Sequence, residues 1–481
     1  VTTAAPQPNP AEVVDPRRWL VLIAIALAIF LGTIDGSIVN VALPTLVREF
    51  DTTFATIQWI VLAYLLTQAT LVLGIGRLGD IVGKKPIFTT GFGVFTLGSV
   101  LAGLSPGVHW LIAFRILQGV GSAMIFALGF AIVAEAFPPW ERGRALGING
   151  TAVSLGIITG PIVGGLLLEA LDWRWIFFVN LPIGIVGTLA AIRFVPNTRP
   201  RRRQRFDFLG AAIFFVAMLA FLLALTLGQV DGFTAPRILA LFATAVLAGV
   251  LFIAAERRIS PPMLDLSLFR IRTLSAGLAA GFTVFVSVSG LLLVLPFYLT
   301  DTLGYGPRSV GLLLAAVPVA LGLVAPYAGG LSDRVGTRPV RVAGLAILIV
   351  GLLLALAVFG TGTTVPAFLG VGLVIGLGVG TFQSPNNSAV LGEVPPERLG
   401  ITSGSLTVTR LTGSITGVAL LGTVWAAFTS AAAGGTPAPD AAGAAQVVGL
   451  HAAIVLALGL TGLGLAGLLA AWRRDHRDGM A

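Results

Sequence analysis

The sequence contains no cysteine, which excludes disulfides, thiol catalysis and thiolate metal sites. It has three histidines, His109, His451 and His476, scattered too far apart to propose a metal site. No HExxH run, nucleophile motif or Walker A sequence occurs, so hydrolytic chemistry and ATP-driven transport by this chain alone have nothing to rest on. Charged residues make up 11% of the chain, less than half the share in an average soluble domain. No stretch has room for a soluble catalytic or nucleic-acid-binding domain. The net charge of +9 is read as arginine in short membrane-flanking loops, not as a nucleic-acid footprint.

What is abundant is apolar. Hydrophobic residues are 56% of 481, and the mean hydropathy is +0.96. Stretches of about twenty apolar residues, long enough to cross a bilayer core, recur throughout. Fourteen spans are predicted, near 19–43, 56–76, 87–104, 109–135, 145–170, 174–195, 208–228, 237–256, 273–300, 310–330, 340–361, 364–392, 401–428 and 448–472. The first is too long for a signal-peptide core and is read as a retained helix. This predicts an all-α integral membrane protein.

Charge fixes the orientation. One set of alternate loops holds most of the arginines, including Arg77, Arg142, Arg144, the run 199–205, Arg257, Arg258, Arg334, Arg338, Arg473 and Arg474. The other holds Arg48, Arg174, Arg237 and Arg308. The positive-inside rule makes the first set cytoplasmic and both termini internal, which an even number of spans requires. The basic linker PNTRPRRRQR (196–205) is topogenic, with anionic-lipid contact as an added option. The stretch AAAGGTPAPDAAGAAQ (431–446) is predicted to be a flexible external loop.

The halves repeat. GRLGDIVGKKP (76–86) matches GGLSDRVGTRP (329–339) at Gly76, Leu78, Asp80, Gly83 and Pro86 against Gly329, Leu331, Asp333, Gly336 and Pro339. PPWERGRALG (138–147) matches PPERLGITSG (395–404), and VALP (41–44) matches LVLP (293–296). This is a parallel repeat of six spans around two extra ones, an organisation suited to alternating access. The predicted divisions are a tail at 1–18, a six-helix bundle at 19–195, a linker with two extra helices at 196–260, a second bundle at 261–472 and a tail at 473–481.

With these motifs in order, the chain resembles the major facilitator superfamily, and within it the fourteen-helix drug:proton antiporter branch. IDGSIVNVALP (34–44), GRLGDIVGKK, RILQGVG (115–121), GIITGPIVGG (156–165), WRWIFFVNLPIG (173–184), SPNNSAVLGEVPPERLG (384–400) and TRLTGSITGVALLG (409–422) carry the resemblance. It implies the major facilitator fold, two six-helix bundles plus two extra transmembrane helices. It also implies proton-coupled export of hydrophobic or cationic drugs and other amphipathic small molecules across a bacterial inner membrane. The energy source would be the proton gradient, with no cofactor and no metal. The expected partners are substrate, protons and membrane lipids, not nucleic acid; a periplasmic adaptor is left undecided. A same-fold carrier of one lipid or metabolite is the near alternative, and a non-transporting sensor or enzyme a remote one.

Asp35 is the most informative single residue, because a carboxylate in an apolar span is costly unless protonated, paired or facing water. Arg115 sits at a similar depth in the fourth span, and the resembled fold places both helices beside the cavity. The two are expected to interact, either as a proton-coupling or cation-binding site or as a structural ion pair. Gln118 lies one helical turn from Arg115. Gly156, Gly160 and Gly164 with Pro161 and Gly165 form the antiporter helix motif, read equally as tight packing. Gly76, Arg77, Asp80, Gly83 and Lys84, with Asp333, Arg334 and Arg338, are the expected conformational gate. Glu135 is expected at an interface or gate. Arg410 is expected to face the interior and pair with a carboxylate or polar face. Asn40, Gln383, Asn386 and Asn387 either line the pathway or tie helices together.

Overall fold

The computed structural model describes residues 17–197, 208–258, 269–394 and 399–477. Fourteen of its helices are long and apolar enough to cross a membrane. They are α1 (Arg18–Glu49), α2 (Trp59–Val82), α3 (Lys84–Gly103), α4 (Val108–Ala136), α5 (Pro139–Ala170), α6 (Asn180–Phe194) and α7 (Phe208–Asp231). They continue as α8 (Pro236–Glu256), α9 (Arg272–Phe297), α10 (Pro307–Val335), α11 (Thr337–Val358), α12 (Val365–Gly392), α13 (Leu399–Ala432) and α14 (Gly443–Arg477). Proline at the first helical turn, where its missing N–H is harmless, opens α5, α8 and α10. The fold is all-helical among the described residues, as the apolar periodicity requires. The linker arginines 199–205 and Pro395 to Arg398 lie outside the described residues.

The expected loop after the second span is not a loop. Helix α2 runs on to Val82 and α3 begins at Lys84, leaving one non-helical residue, Gly83, at φ 109° and ψ 142°. The second half does the same at Gly336, φ 88° and ψ 154°, between Val335 and Thr337. That backbone region is open to glycine and nearly closed to other residues. Hydropathy marks the hydrocarbon boundary, whereas the hydrogen-bonded helix continues past it into water.

The 431–446 stretch is also tighter than expected. Ala438 and Ala441 are buried. The buried Gln446 side chain donates to the Ala438 and Ala441 carbonyls at 3.2 and 3.3 Å and accepts from Thr302 at 2.9 Å. A single amide at the start of α14 thus satisfies the loop backbone and ties it to the end of α9.

Each half pairs its first and fifth helices through glycine. A Cβ on Gly156 would stand 2.7 Å from Thr33 Cβ, and one on Gly164 would stand 2.7 Å from Ile38. In the second half Gly413 and Gly417 seat α13 against Phe282, Phe285 and Val286 of α9. Close backbone approach supplies the van der Waals contact that lipid cannot provide.

The end carrying the arginine-rich connections is expected to face the cytoplasm and is the inner end below. The halves meet at the outer end. Arg48 pairs with Asp301 across them, and Phe54 stacks edge-on against Phe297 and Trp425 at 5.2 and 4.7 Å. Gly165 and Pro161 of α5 abut Pro307 and Gly311 of α10. Further in, Gly322 lies against Ile158 and Ser154. On the same face of α5, one and two turns further inward, Thr151, Gly150 and Gly147 are exposed. The matching face of α10 is buried at Gly311 and Pro318, half-buried at Gly322 and exposed at Pro326. This seam is therefore closed at the outer end and open at the inner end.

The two extra helices differ in role. Helix α7 covers the outer end of the other seam: Gln229 donates to Thr423 of α13 at 2.8 Å, and α7 also touches α2. Helix α8 packs on α7 through Phe252 against Phe214 and Phe242 against Phe221, and leaves Val246, Leu247 and Val250 outside.

Candidate functional site

Helices α1, α4 and α6 bring Asp35, Arg115 and Asn180 to one point. Asp35 is completely buried and Arg115 is 1% exposed. Arg115 Nη1 donates to Asp35 Oδ2 at 2.6 Å. Gln118 Nε2 donates to Asp35 Oδ1 at 2.7 Å, and Asn180 Nδ2 donates to the same oxygen at 2.9 Å. Arg115 Nη1 also donates to Gln118 Oε1 at 2.6 Å, and its Nε donates to the Ile60 carbonyl at 3.0 Å. The guanidinium carbon lies 4.2 Å from the centre of the Tyr64 ring, within cation–π range. The group is electrically neutral as a unit, which is what makes its burial tolerable.

A second layer fixes the first. Asn180 Nδ2 also reaches Ser99 Oγ at 3.0 Å, and Ser99 donates to the Phe177 carbonyl at 2.9 Å. The Tyr64 hydroxyl lies 2.7 Å from Ser122 Oγ and donates to the Gly32 carbonyl at 3.3 Å. Gln68 Nε2 donates to Ser122 at 2.9 Å. All of these residues belong to the first half. Asn180 Oδ1 is buried without a hydrogen-bond partner among the described residues, an acceptor held beside the carboxylate.

The sequence-predicted residues divide. Asp35, Arg115 and Gln118 come together. Glu135 does not join them; it pairs with Lys84 at the inner end, holding α3 to α4. Glu141 pairs with Arg18 at 3.1 Å. Gly76 and Gly83 lie on and at the end of α2, while the side chains of Arg77 and Asp80 lie outside the described residues. Asp333 and Arg334 are exposed at the end of α10, and Arg338 is half-buried on the first turn of α11. Asn386 ties α12 to α9 through the Gly277 carbonyl at 3.1 Å. Asn387 is exposed, and Gln383 and Asn40 are half-buried.

Helix α5 has two working faces. Gly156, Gly160 and Gly164 receive α1 from Phe30 to Ile38, the turns on either side of Asp35, and Ser37 donates to the Gly156 carbonyl at 3.1 Å. Pro161 and Gly165, one residue further round, meet α10 of the other half. The motif therefore links the helix bearing Asp35 to the opposite bundle.

For Arg410 the expected alternatives are a carboxylate or a polar face. It is half-buried in α13, and among the described residues no carboxylate, hydrogen bond or ring reaches its guanidinium. Asp35 is committed to Arg115, and Glu393 sits at the C-terminal cap of α12.

The sequence reading missed Asn180, Tyr64, Ser99 and Ser122. Neutral polar residues in an apolar span stand out far less than charges. The available signal was Asn180 in WRWIFFVNLPIG, an amide placed near the outer end of a span at a depth comparable with Arg115.

The sequence profile of the Major Facilitator Superfamily matches residues 25–290 and 277–479, and the chain belongs to that superfamily. It is similar to the riboflavin transporter RibZ of Clostridioides difficile, 35% identical over 395 residues, covering 82% of this chain and 85% of that one. It is likewise similar to the multidrug resistance protein Stp of Mycobacterium tuberculosis, 37% identical over 415 residues, covering 86% and 77%. A bacterial homologue of the human lysosomal transporter Spinster, solved inward-facing and unoccupied, superposes with a TM-score of 0.69 over 96% of this chain and 98% of that one. At 19% identity that likeness concerns the fold. The chain is a transporter of this fold and not an enzyme.

Proposed function

We propose that this protein is a proton-coupled antiporter that exports amphipathic small molecules, drugs among them, from a bacterial cell by alternating access. The observation that carries the reading is the buried Asp35–Arg115 pair, sealed by Gln118 and Asn180. Coupling needs a group whose protonation changes what it holds. Ionised, Asp35 binds the guanidinium and two amide donors. Protonated, it loses its charge and can donate, so the pair loosens. A turn of the Asn180 amide would then present its unpartnered Oδ1 to the new O–H. Helix α5 gives this change a route to the other half, since its glycine face receives α1 and its Pro161–Gly165 face receives α10.

In the present inward-open state Asp35 has no face left for a cationic solute, which supports the proton as its exchanged partner. The name of one relative, a multidrug resistance protein, supports drug-type substrates, and that of the other, a riboflavin transporter, keeps a single small-molecule substrate as the alternative. The test is dye movement in proteoliposomes under an imposed proton gradient, wild type against Asp35→Asn. Gradient-driven movement lost in the variant supports the reading. Equal movement in both proteins sinks the role of Asp35.

A further inference from the structure

Among the described residues, no carboxylate pairs with Arg410, which lies well inside its span. Arginine stays ionised at any working pH, and an intramembrane cation without a partner is costly unless something compensates it. Its position on α13 shows what that something must be. Gly413 and Gly417 face α9, where they meet Phe282, Phe285 and Val286. Gly422 lies against Leu293 of α9 and, on its other side, against Gln58 and Phe54 of the first half. At about 100° per residue, Arg410 stands at the edge of the α9-facing side, next to the sector that turns toward the other half, and it is half-buried there. Ser403, Thr407 and Ser414 share its face at helical spacing, the first exposed and the others half-buried. Ser414 is tied to Ser289 at 2.9 Å, which fixes the helix rotation at this level. Arg410 lies about 17 Å along α13 from its inner end, on the side where the seam between α5 and α10 stands open.

Resting on the exporter reading, we propose that Arg410 is a substrate-recognition group that binds an anionic substituent, a carboxylate or phosphate, on an amphipathic aromatic substrate. The guanidinium fork takes two oxygens of such a group in parallel, and the Thr407 and Ser403 hydroxyls lie inward along the same face. Phe282 and Phe285, one turn outward, offer the apolar surface for the rest of the molecule. The N-terminal half has its charges already matched at Asp35 and Arg115, so the proton site and the anion site are separate and lie in different halves. Substrate entering from the inner end supplies the missing negative charge, and its departure restores the cost of an unmatched cation. The occupied and empty proteins therefore differ by a full charge at mid-membrane.

The test uses the full chain in detergent and in proteoliposomes, with wild type, Arg410→Gln and Arg410→Lys. Carboxyfluorescein is the anionic aromatic probe and ethidium the cationic one. Anisotropy titration in detergent reads binding without any proton gradient. Carboxyfluorescein should bind wild type and weaken about tenfold or more in Arg410→Gln, the loss of a charge-assisted contact. Arg410→Lys should keep part of the affinity, because it keeps the charge but loses the fork. Arg410→Gln should unfold at the same temperature as wild type or higher, since it removes no partner. Binding of carboxyfluorescein equally by wild type and Arg410→Gln, or by neither, would overturn the proposal, as would a lower unfolding temperature in Arg410→Gln. Gradient-driven ethidium efflux without carboxyfluorescein binding would overturn it while leaving the antiporter reading intact. Carboxyfluorescein binding lost in Arg410→Gln, with no gradient-driven movement of either dye, would support Arg410 and reject the antiporter.

Discussion

Replacing Asp35 by asparagine tests the coupling site with the least change of shape. Asparagine has one acceptor and one donor where aspartate has two acceptors. In one orientation its amide nitrogen faces Arg115 Nη1, where the carboxylate oxygen now lies 2.6 Å away. In the other it faces the donors of Gln118 and Asn180, now at 2.7 and 2.9 Å. Either way donor meets donor, and the guanidinium loses its counter-charge. Breaking a buried pair by removing one partner costs about 3–5 kcal/mol. The contacts left to Arg115, from Gln118 Oε1, the Ile60 carbonyl and the Tyr64 ring, place the expected loss toward the lower end. Removing both charges at once, in Asp35→Asn with Arg115→Gln, leaves a neutral polar cluster and is expected to cost much less than the sum of the single changes, with a coupling of about 3 kcal/mol. The assay is a double-mutant cycle on unfolding in detergent, followed by tryptophan fluorescence. Additive single effects would refute the reasoning, because they would mean that the two groups do not hold each other.

Other consequences are as direct. Gly160→Ala should abolish transport while the protein still inserts, because its Cβ would fall on the Ser37 side chain and 3.0 Å from the Ile34 carbonyl; normal transport would show that α1 and α5 do not need this contact. Gly83→Ala and Gly336→Ala should each destabilise by about 1–3 kcal/mol, read as a lowered unfolding temperature, since both glycines hold backbone conformations that side chains disfavour. Arg48→Cys with Asp301→Cys introduces the chain's first cysteines across the outer seam; joining them with a short bifunctional thiol reagent that contains a reducible disulfide should hold the outer end shut and stop transport, with recovery on reduction. Transport that persists in the cross-linked protein would mean the outer end need not part there.

The fold was legible because two independent signals agreed. Apolar length pointed to fourteen spans, and the alternation of arginine-rich with arginine-poor connections pointed to an even number. Helix ends were less legible: the stretch 76–86 read as a loop with Gly83 allowing its sharp turn, yet Gly83 alone separates two helices, because sequence shows where the apolar run stops but not where hydrogen bonding does. At the site, Asp35, Arg115 and Gln118 were visible as charge, and amide beside charge, in apolar runs. Asn180 was not, since its role depends on the angle and depth at which α6 meets α1. Arg410 was visible as a charge, but which of its two expected partners, a carboxylate or a polar face, it would meet was not. A lone charge announces itself in a sequence, whereas whether another chain segment answers it is decided only by packing.

The one-residue junctions at Gly83 and Gly336 leave no slack between the helices they join. A three-residue hairpin can absorb an insertion; a single glycine cannot lengthen without turning the next helix about its own axis. One inserted residue after Gly83 would rotate α3 by about 100°, swinging Phe92 and Phe95 out of the core and toward lipid. The two elbows therefore act as registration points, and the chain should tolerate length variation almost anywhere in its outer loops before it tolerates any at these two places.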